Sequence, residues 1–259
     1  MTDAATTTFN CTQCGAGLDL LGGGRVRVHV CSYCGAELDA QHDYRVIAQF
    51  RDMKRPCSPF ALGKVGTLWG VPFTVIGTIG WIEKYGGKVW TWVDHQIFSP
   101  THGYGWLTVE DGHVTYTRKT REVPSPSSVS YSKIENSEHR PTVKLGGRTF
   151  RYYGSGKARP SFIEGAFNFV PSMDDHIRYV SLVCGHRMLD IVESEDEREY
   201  EISILPDRIE LVKSFGLDSE RLSEPVGIHV LDEIERSPRQ LFMRNVALAA
   251  CGLCIALAA

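Results

Sequence analysis

Apolar and polar positions alternate along this chain in short runs with the period of strands. Phe73, Val75, Ile79 and Trp81 alternate with Thr74, Thr78 and Gly80, the period-two pattern of a strand with one packed face. Tyr85-Gly86-Gly87 turns the chain into Val89–Phe98, which sets Trp90, Trp92 and Phe98 on one face. Ser99-Pro100 and Gly103 interrupt before Tyr104–Glu110, and Asp111-Gly112 between two alternating runs is a strong hairpin signal. Between Leu62 and Arg118 the pattern predicts four or five antiparallel strands, curled into a small barrel.

A second unit follows the Pro124–Ser128 linker. Phe162–Val170 lies over Val75–Ile82 when Gly165 is aligned with Gly77. Downstream, Ile177–Val180 echoes Val89–Val93, and Met188-Leu189 with Ile191 echoes Trp106-Leu107 with Val109. The preserved order reads as a duplication. A helical turn or two is expected around Asp207–Phe215.

The C-terminal end departs from this pattern. Val246–Ala259 carries no charge or strong polar group, and Arg236, Arg239 and Arg244 precede it. An apolar run flanked by arginines reads as the start of a transmembrane helix whose preceding residues face the cytosol; a buried helix or packed tail is the alternative.

Four cysteines change the picture at the other end. Cys11-x-x-Cys14 and Cys31-x-x-Cys34 sit in matching frames, each followed by glycine, at Gly15 and Gly35. Two such pairs supply the four thiolates that one tetrahedral Zn²⁺ takes in a structural ribbon, although two disulfides satisfy the same count. Spare thiols at Cys57, Cys184, Cys251 and Cys254 favour a reducing compartment, and the first nine residues lack the charge and apolar run of a signal peptide.

The fold class that follows is mainly β: a zinc ribbon over 1–42, a linker over 43–59, a first β-barrel-like domain over 60–123, a second over 124–215, a linker over 216–240 and an apolar helix over 241–259.

Charge and motif content narrow the chemistry. A net charge of −3 gives no general attraction to nucleic acid. The five tryptophans (Trp69, Trp81, Trp90, Trp92, Trp106) read as core filling, with a peptide or cation groove as the sharper reading. Between His139 and Glu164 the cations Arg140, Lys144, Arg148, Arg151, Lys157 and Arg159 accumulate without an acid, beside Tyr152 and Tyr153. That stretch suits anionic lipid headgroups or RNA, or a charged strand edge kept soluble. Gly154-Ser-Gly156-Lys157 lacks the glycine and hydroxyl of a phosphate loop. Asp174-Asp175-His176 reads as a turn, and Glu193, Glu195, Glu197, Glu199 and Glu201 share one parity, expected to face water. No H-E-x-x-H, G-x-S-x-G or dinucleotide fingerprint occurs; an unfamiliar active site would rest on Asp94, His95 or His113.

Val75-Ile76-Gly77, Trp92-Val-Asp94-His95-Gln-Ile97-Phe98 and Tyr104-Gly105-Trp106-Leu107 through Glu110-Asp-Gly112-His113 resemble, in order, the bacterial family called domain of unknown function 4178. Tyr179–Tyr200 is similar to the second half of those proteins. The chain departs from them at Asp94-His95 and at Val114. The resemblance implies an N-terminal ribbon, C-terminal membrane helices and a setting among membrane-stress or polyamine genes. Together these features set the expectation of a membrane-tethered cytosolic adaptor without defined catalysis. One structural zinc would be held by Cys11, Cys14, Cys31 and Cys34, with a protein partner and the membrane as contacts. The alternatives are a lipid-headgroup or nucleic-acid module on 140–159, and an enzyme with an unrecognised site.

Overall fold

The computed structural model describes residues 8–194 and 197–218. The expected membrane helix and the Cys251–Cys254 pair fall outside them. No helix among the described residues is long and apolar enough to cross a membrane.

The chain enters through a small ribbon: β1 (Thr8–Asn10), β2 (Gly17–Asp19), β3 (Val28–Val30), β4 (Ala36–Asp39) and β5 (Arg45–Gln49). A meander follows, built from β6 (Val65–Leu68), β7 (Val71–Tyr85), β8 (Lys88–Ser99), β9 (Gly103–Glu110) and β10 (His113–Lys119). The second half comprises α1 (Tyr131–Glu135), β11 (Thr142–Leu145), β12 (Arg148–Phe167), β13 (Ile177–Cys184), β14 (Arg187–Glu193), β15 (Arg198–Ile204) and α2 (Arg208–Phe215).

The two halves do not make two barrels. They close into one, in the cyclic order β7-β8-β9-β10-β15-β14-β13-β12 and back to β7. Four strands open at both edges leave two rows of unpaired backbone groups, and joining two such meanders removes both rows. One seam pairs β10 with β15 (Thr117 opposite Ser203); the other pairs β12 with β7 (Gly165 opposite Gly77). The repeats read from the sequence fall on β7 and β12, β8 and β13, and β9 and β14, each at the same place in its meander.

The register shows which face points in. Asp94, opposite Ile79 and Thr108, lies on one face of β8 with Trp92 and Gln96; His95 and Ile97 lie on the other. Carrying the pairs around the ring puts Thr117, Ser203, Glu201, Asp190, Ser181 and Tyr179 on the Asp94 face. The Asp94 face is the interior, because Trp92 of β8 meets the Tyr179 ring of β13 across the barrel, centroids 6.1 Å apart.

The main apolar faces therefore point outward and are covered there. Phe73, Val75, Ile97, Leu107 and Tyr116 pack under Phe60 and the α2 residues Leu211 and Phe215. Gly66 on β6 leaves the space that the Phe215 ring takes, for a Cβ there would stand 2.2 Å from it. On the other half, Val180, Leu182, Leu189 and Ile191 pack under α1, β11 and Phe150. Asp207 caps α2 by accepting from the Glu210 N–H at 2.9 Å, and left-handed Gly216 ends the helix.

The ribbon is stitched into the same sheet. β3 pairs with the end of β12 (Val28 opposite Phe167), and β4 and β5 continue from it. Within residues 50–60 the chain then straps over the β7–β12 seam. Arg55 forks onto the buried Glu164 carboxylate and stacks over Phe162, and Ser58 reaches His95 Nε2 at 2.6 Å. At the ribbon end, Ile79, Ile163 and Phe167 with Trp106 and Phe169 fill the lumen.

Candidate functional site

The four ribbon cysteines converge. Cys11 and its successors form a turn in which Gly15 N–H donates to Cys11 O and Cys11 N–H donates to Ala16 O, each at 2.8 Å. Cys31 repeats it through Gly35 and Ala36, each at 2.9 Å. Gly15 and Gly35 hold φ of 77° and 72°, and a Cβ on Gly35 would meet Phe50 O at 2.3 Å, so only glycine fits this second knuckle. The sulfurs of Cys11 and Cys34, and of Cys14 and Cys31, are 3.8 Å apart, and all four thiols are free. Four sulfurs at about 2.3 Å from one ion stand about 3.8 Å from each other. The cluster thus has the spacing of a metal site and excludes the disulfide alternative. Burial and the neighbouring sulfurs push the Cys34 thiol up to about 12, the cost of gathering four sulfurs before an ion offsets it.

The second constellation lies in the barrel. Asp94 on β8 accepts from Thr108 Oγ1 at 2.6 Å, and Asp190 on β14 accepts from Ser181 at 2.5 Å and Ser203 at 3.3 Å. Ser203 in turn shares a 2.7 Å hydrogen bond with Thr117 across the second seam. Glu83 on β7 accepts from the Tyr179 hydroxyl at 2.5 Å, in space left open by Gly156, whose Cβ would stand 2.4 Å from that carboxylate. Glu201 on β15 stands between Lys119 and Asp190 in the ladder, opposite one on each neighbouring strand. Trp81 and Trp92 stack at 6.1 Å, and Trp81 Nε1 is buried without a hydrogen-bond partner.

Glu83, Asp94, Asp190 and Glu201 are half-buried within the barrel. Burial raises Asp94 to about 6, countered by the Thr108 hydrogen bond and reinforced by Asp190. Burial likewise raises Asp190 to about 6, and lifts Glu201 to about 8 with Asp190 adding to it and Lys119 opposing. At the lip, Glu110 rises to about 7 through crowding by protein and then by Asp111, Asp94, Asp190 and Glu83. The register sets Glu83, Asp94, Glu110, Asp190 and Glu201 on the inner face of β7, β8, β9, β14 and β15, close enough for each to disfavour the others' charge.

The other residues singled out from the sequence are dispersed. His95 lies on the outer face, 1% exposed under the Ser58–Phe60 strap, where burial lowers it to about 3. It also shares a 3.0 Å hydrogen bond with Thr78, so it cannot work with Asp94 on the opposite face. His113 begins β10 opposite Glu110. Among the basic residues, Arg140 covers the Tyr152 ring and Lys157 the Tyr131 ring, each at 4.8 Å. Asp175 accepts from Ser172 N–H and His176 bonds Asp174 O, the turn expected there. The parity of Glu199 and Glu201 does not face outer solvent. It faces the lumen, because β15 is an inner member of a closed ring. Asp190, Tyr179 and Glu201 were missed; their signal was a polar residue at every second position of strands whose other face is apolar.

Fold and sites together define a class: a β-barrel with an acidic, tryptophan-lined lumen and a four-cysteine ribbon paired onto the end of one barrel strand. Residues 61–204 match the family described as domain of unknown function (DUF4178), and the chain belongs to that family. No curated protein and no solved structure matches the chain.

Proposed function

We propose that this protein is a ligand-binding adaptor whose barrel lumen takes an organic ammonium ion, and whose ribbon holds one structural Zn²⁺. The observation that carries the lumen reading is the meeting of Asp94, Asp190 and Glu201 with the Trp81–Trp92 stack. Asp94 and Asp190, ionised above about pH 6, supply the countercharge, a bound cation draws Glu201 toward its ionised form, and the indole faces attract the cation, the components of ammonium recognition. A metal ion is a poorer occupant. Among the described residues, the ribbon cysteines are the group of three or more His, Cys, Asp or Glu side chains close enough to hold one. The lumen acids stand further apart, a span suited to a larger, multiply charged cation. Thiolate donors at tetrahedral spacing favour zinc for the ribbon, where the ion stabilises the fold and all four positions are filled by protein.

The test is calorimetric and fluorimetric titration with tetramethylammonium, benzylammonium and α,ω-diaminoalkanes of increasing length. Saturable quenching of tryptophan emission, weakened about tenfold or more by Asp94→Asn and by Trp92→Ala, supports the reading. Absence of binding by the whole series up to about 10 mM, a dissociation constant too weak to matter, removes it.

A further inference from the structure

We infer that the opposite mouth of the barrel is a second binding site, for a small organic anion built on a flat ring. Successive hairpins alternate between the ends of the barrel: the Gly86–Gly87 and Asp111–Gly112 turns stand beside Glu83 and Glu110, and the Pro100–His102 turn stands at the other end. That other end opens into a cavity of about 670 Å³, within the range of small-molecule sites. Arg25, Arg118, Lys119 and Arg121 line it, and no carboxylate does. Lys119 is paired with Glu199 and Arg118 leans on the His102 carbonyl at 3.5 Å. Arg25 and Arg121 form no ion pair among the described residues, which leaves two guanidinium forks for an anion.

The floor explains the ring. Phe98, Trp106 and Phe169 present aromatic surface. Gln96 and Asn168 line the cavity beside them and are locked together in both directions, Gln96 Nε2 to Asn168 Oδ1 at 2.8 Å and Asn168 N–H to Gln96 Oε1 at 3.2 Å. One wall is not barrel at all. Gly24 and Arg25 come from the ribbon's 3₁₀ turn, held in place by Tyr104 OH donating to Gly22 O at 2.6 Å and by Arg27 N–H donating to Phe167 O at 2.7 Å. On Gly23, a Cβ would stand 2.8 Å from the Phe98 ring, so the turn sits against the cavity floor. The ribbon thereby contributes a cation to a site the barrel alone would leave open.

The experiment titrates the full chain calorimetrically with phenyl phosphate, benzoate and inorganic phosphate. Phenyl phosphate or benzoate should bind one per chain, weakening as salt rises, and Arg25→Ala with Arg121→Ala should lower affinity at least tenfold with the melting temperature unchanged. Asp94→Asn should leave this binding intact, which separates the mouth from the lumen. The site is refuted if neither ring-bearing anion binds, or if the double arginine variant binds as well as the parent. Equal binding of inorganic phosphate overturns the ring requirement and leaves a bare phosphate site.

Discussion

Gly77 and Gly165 stand directly opposite each other where β7 meets β12, and neither can carry a side chain. A Cβ on Gly77 would lie 2.5 Å from Ala166 O, and one on Gly165 would lie 2.4 Å from Ile76 O, where φ is already +88°. The seam closes because two backbones approach more closely than alanine permits. Gly165→Ala should therefore destabilise the protein by about 3 kcal/mol or more, combining left-handed strain with overpacking. Denaturant unfolding measures this, and a loss under about 1 kcal/mol would mean the seam can shift to accommodate a methyl group.

The lumen acids set a pH dependence. Their folded pKa values are raised, so the folded state binds protons more readily than the unfolded chain, and stability must fall as pH rises through that range. The buried His29 and His95, lowered to about 4 and about 3, act oppositely but only below about pH 6.5. Between about pH 6.5 and 8 the raised acids dominate the slope, with Glu110 near 7 and Glu201 near 8 in the lumen and Glu37 of the ribbon also near 7. The melting temperature should drop across that window, and Glu201→Gln should flatten the slope. A rising melting temperature would contradict the acidic lumen.

Arg55 and Glu164 supply a third expectation. The Glu164 side chain is 3% exposed and its fork partner Arg55 is 57% exposed. Arg55→Ala strands a buried carboxylate and should cost about 2–4 kcal/mol, toward the lower end of buried-pair losses because the arginine remains wet. Adding Glu164→Gln should restore much of that loss, as read from a double-mutant cycle.

Metal removal acts on the ribbon first. Cys31→Ser, or a strong chelator, should release one zinc per chain, and β3–β5 should lose hydrogen-exchange protection before the barrel does. If zinc stays bound one per chain in Cys31→Ser, the four-cysteine assignment is wrong.

Strand content, hairpins and the cysteine frame were legible because each is written locally: alternation, Asp111-Gly112, paired C-x-x-C. Closure was not, since it depends on edges meeting between β7 and β12, 88 residues apart by the Gly77–Gly165 register, with glycines as the local trace. The sidedness of the strands was also hidden. Alternation assigns Glu201 and Ile202 to opposite faces but does not say which is inside, and the habit of placing acids in outer solvent fails when short helices and a strand cover the outer apolar faces and the acids line the lumen. The tryptophans show the same ambiguity: Trp81 and Trp92 line the lumen, while Trp69 is 56% exposed in a turn.

The pairing of Val28–Val30 with Gly165–Phe167 bears on modularity. The segment that defines the family starts at residue 61, beyond both the ribbon strands and the Arg55–Ser58 strap. A fragment trimmed to that segment would bare the selvedge of β12 as a row of unsatisfied amides and carbonyls, an invitation to edge-to-edge association. Any relative lacking this ribbon must finish that edge with something else, so the ribbon is part of the barrel's hem and cannot be exchanged as a detachable tag.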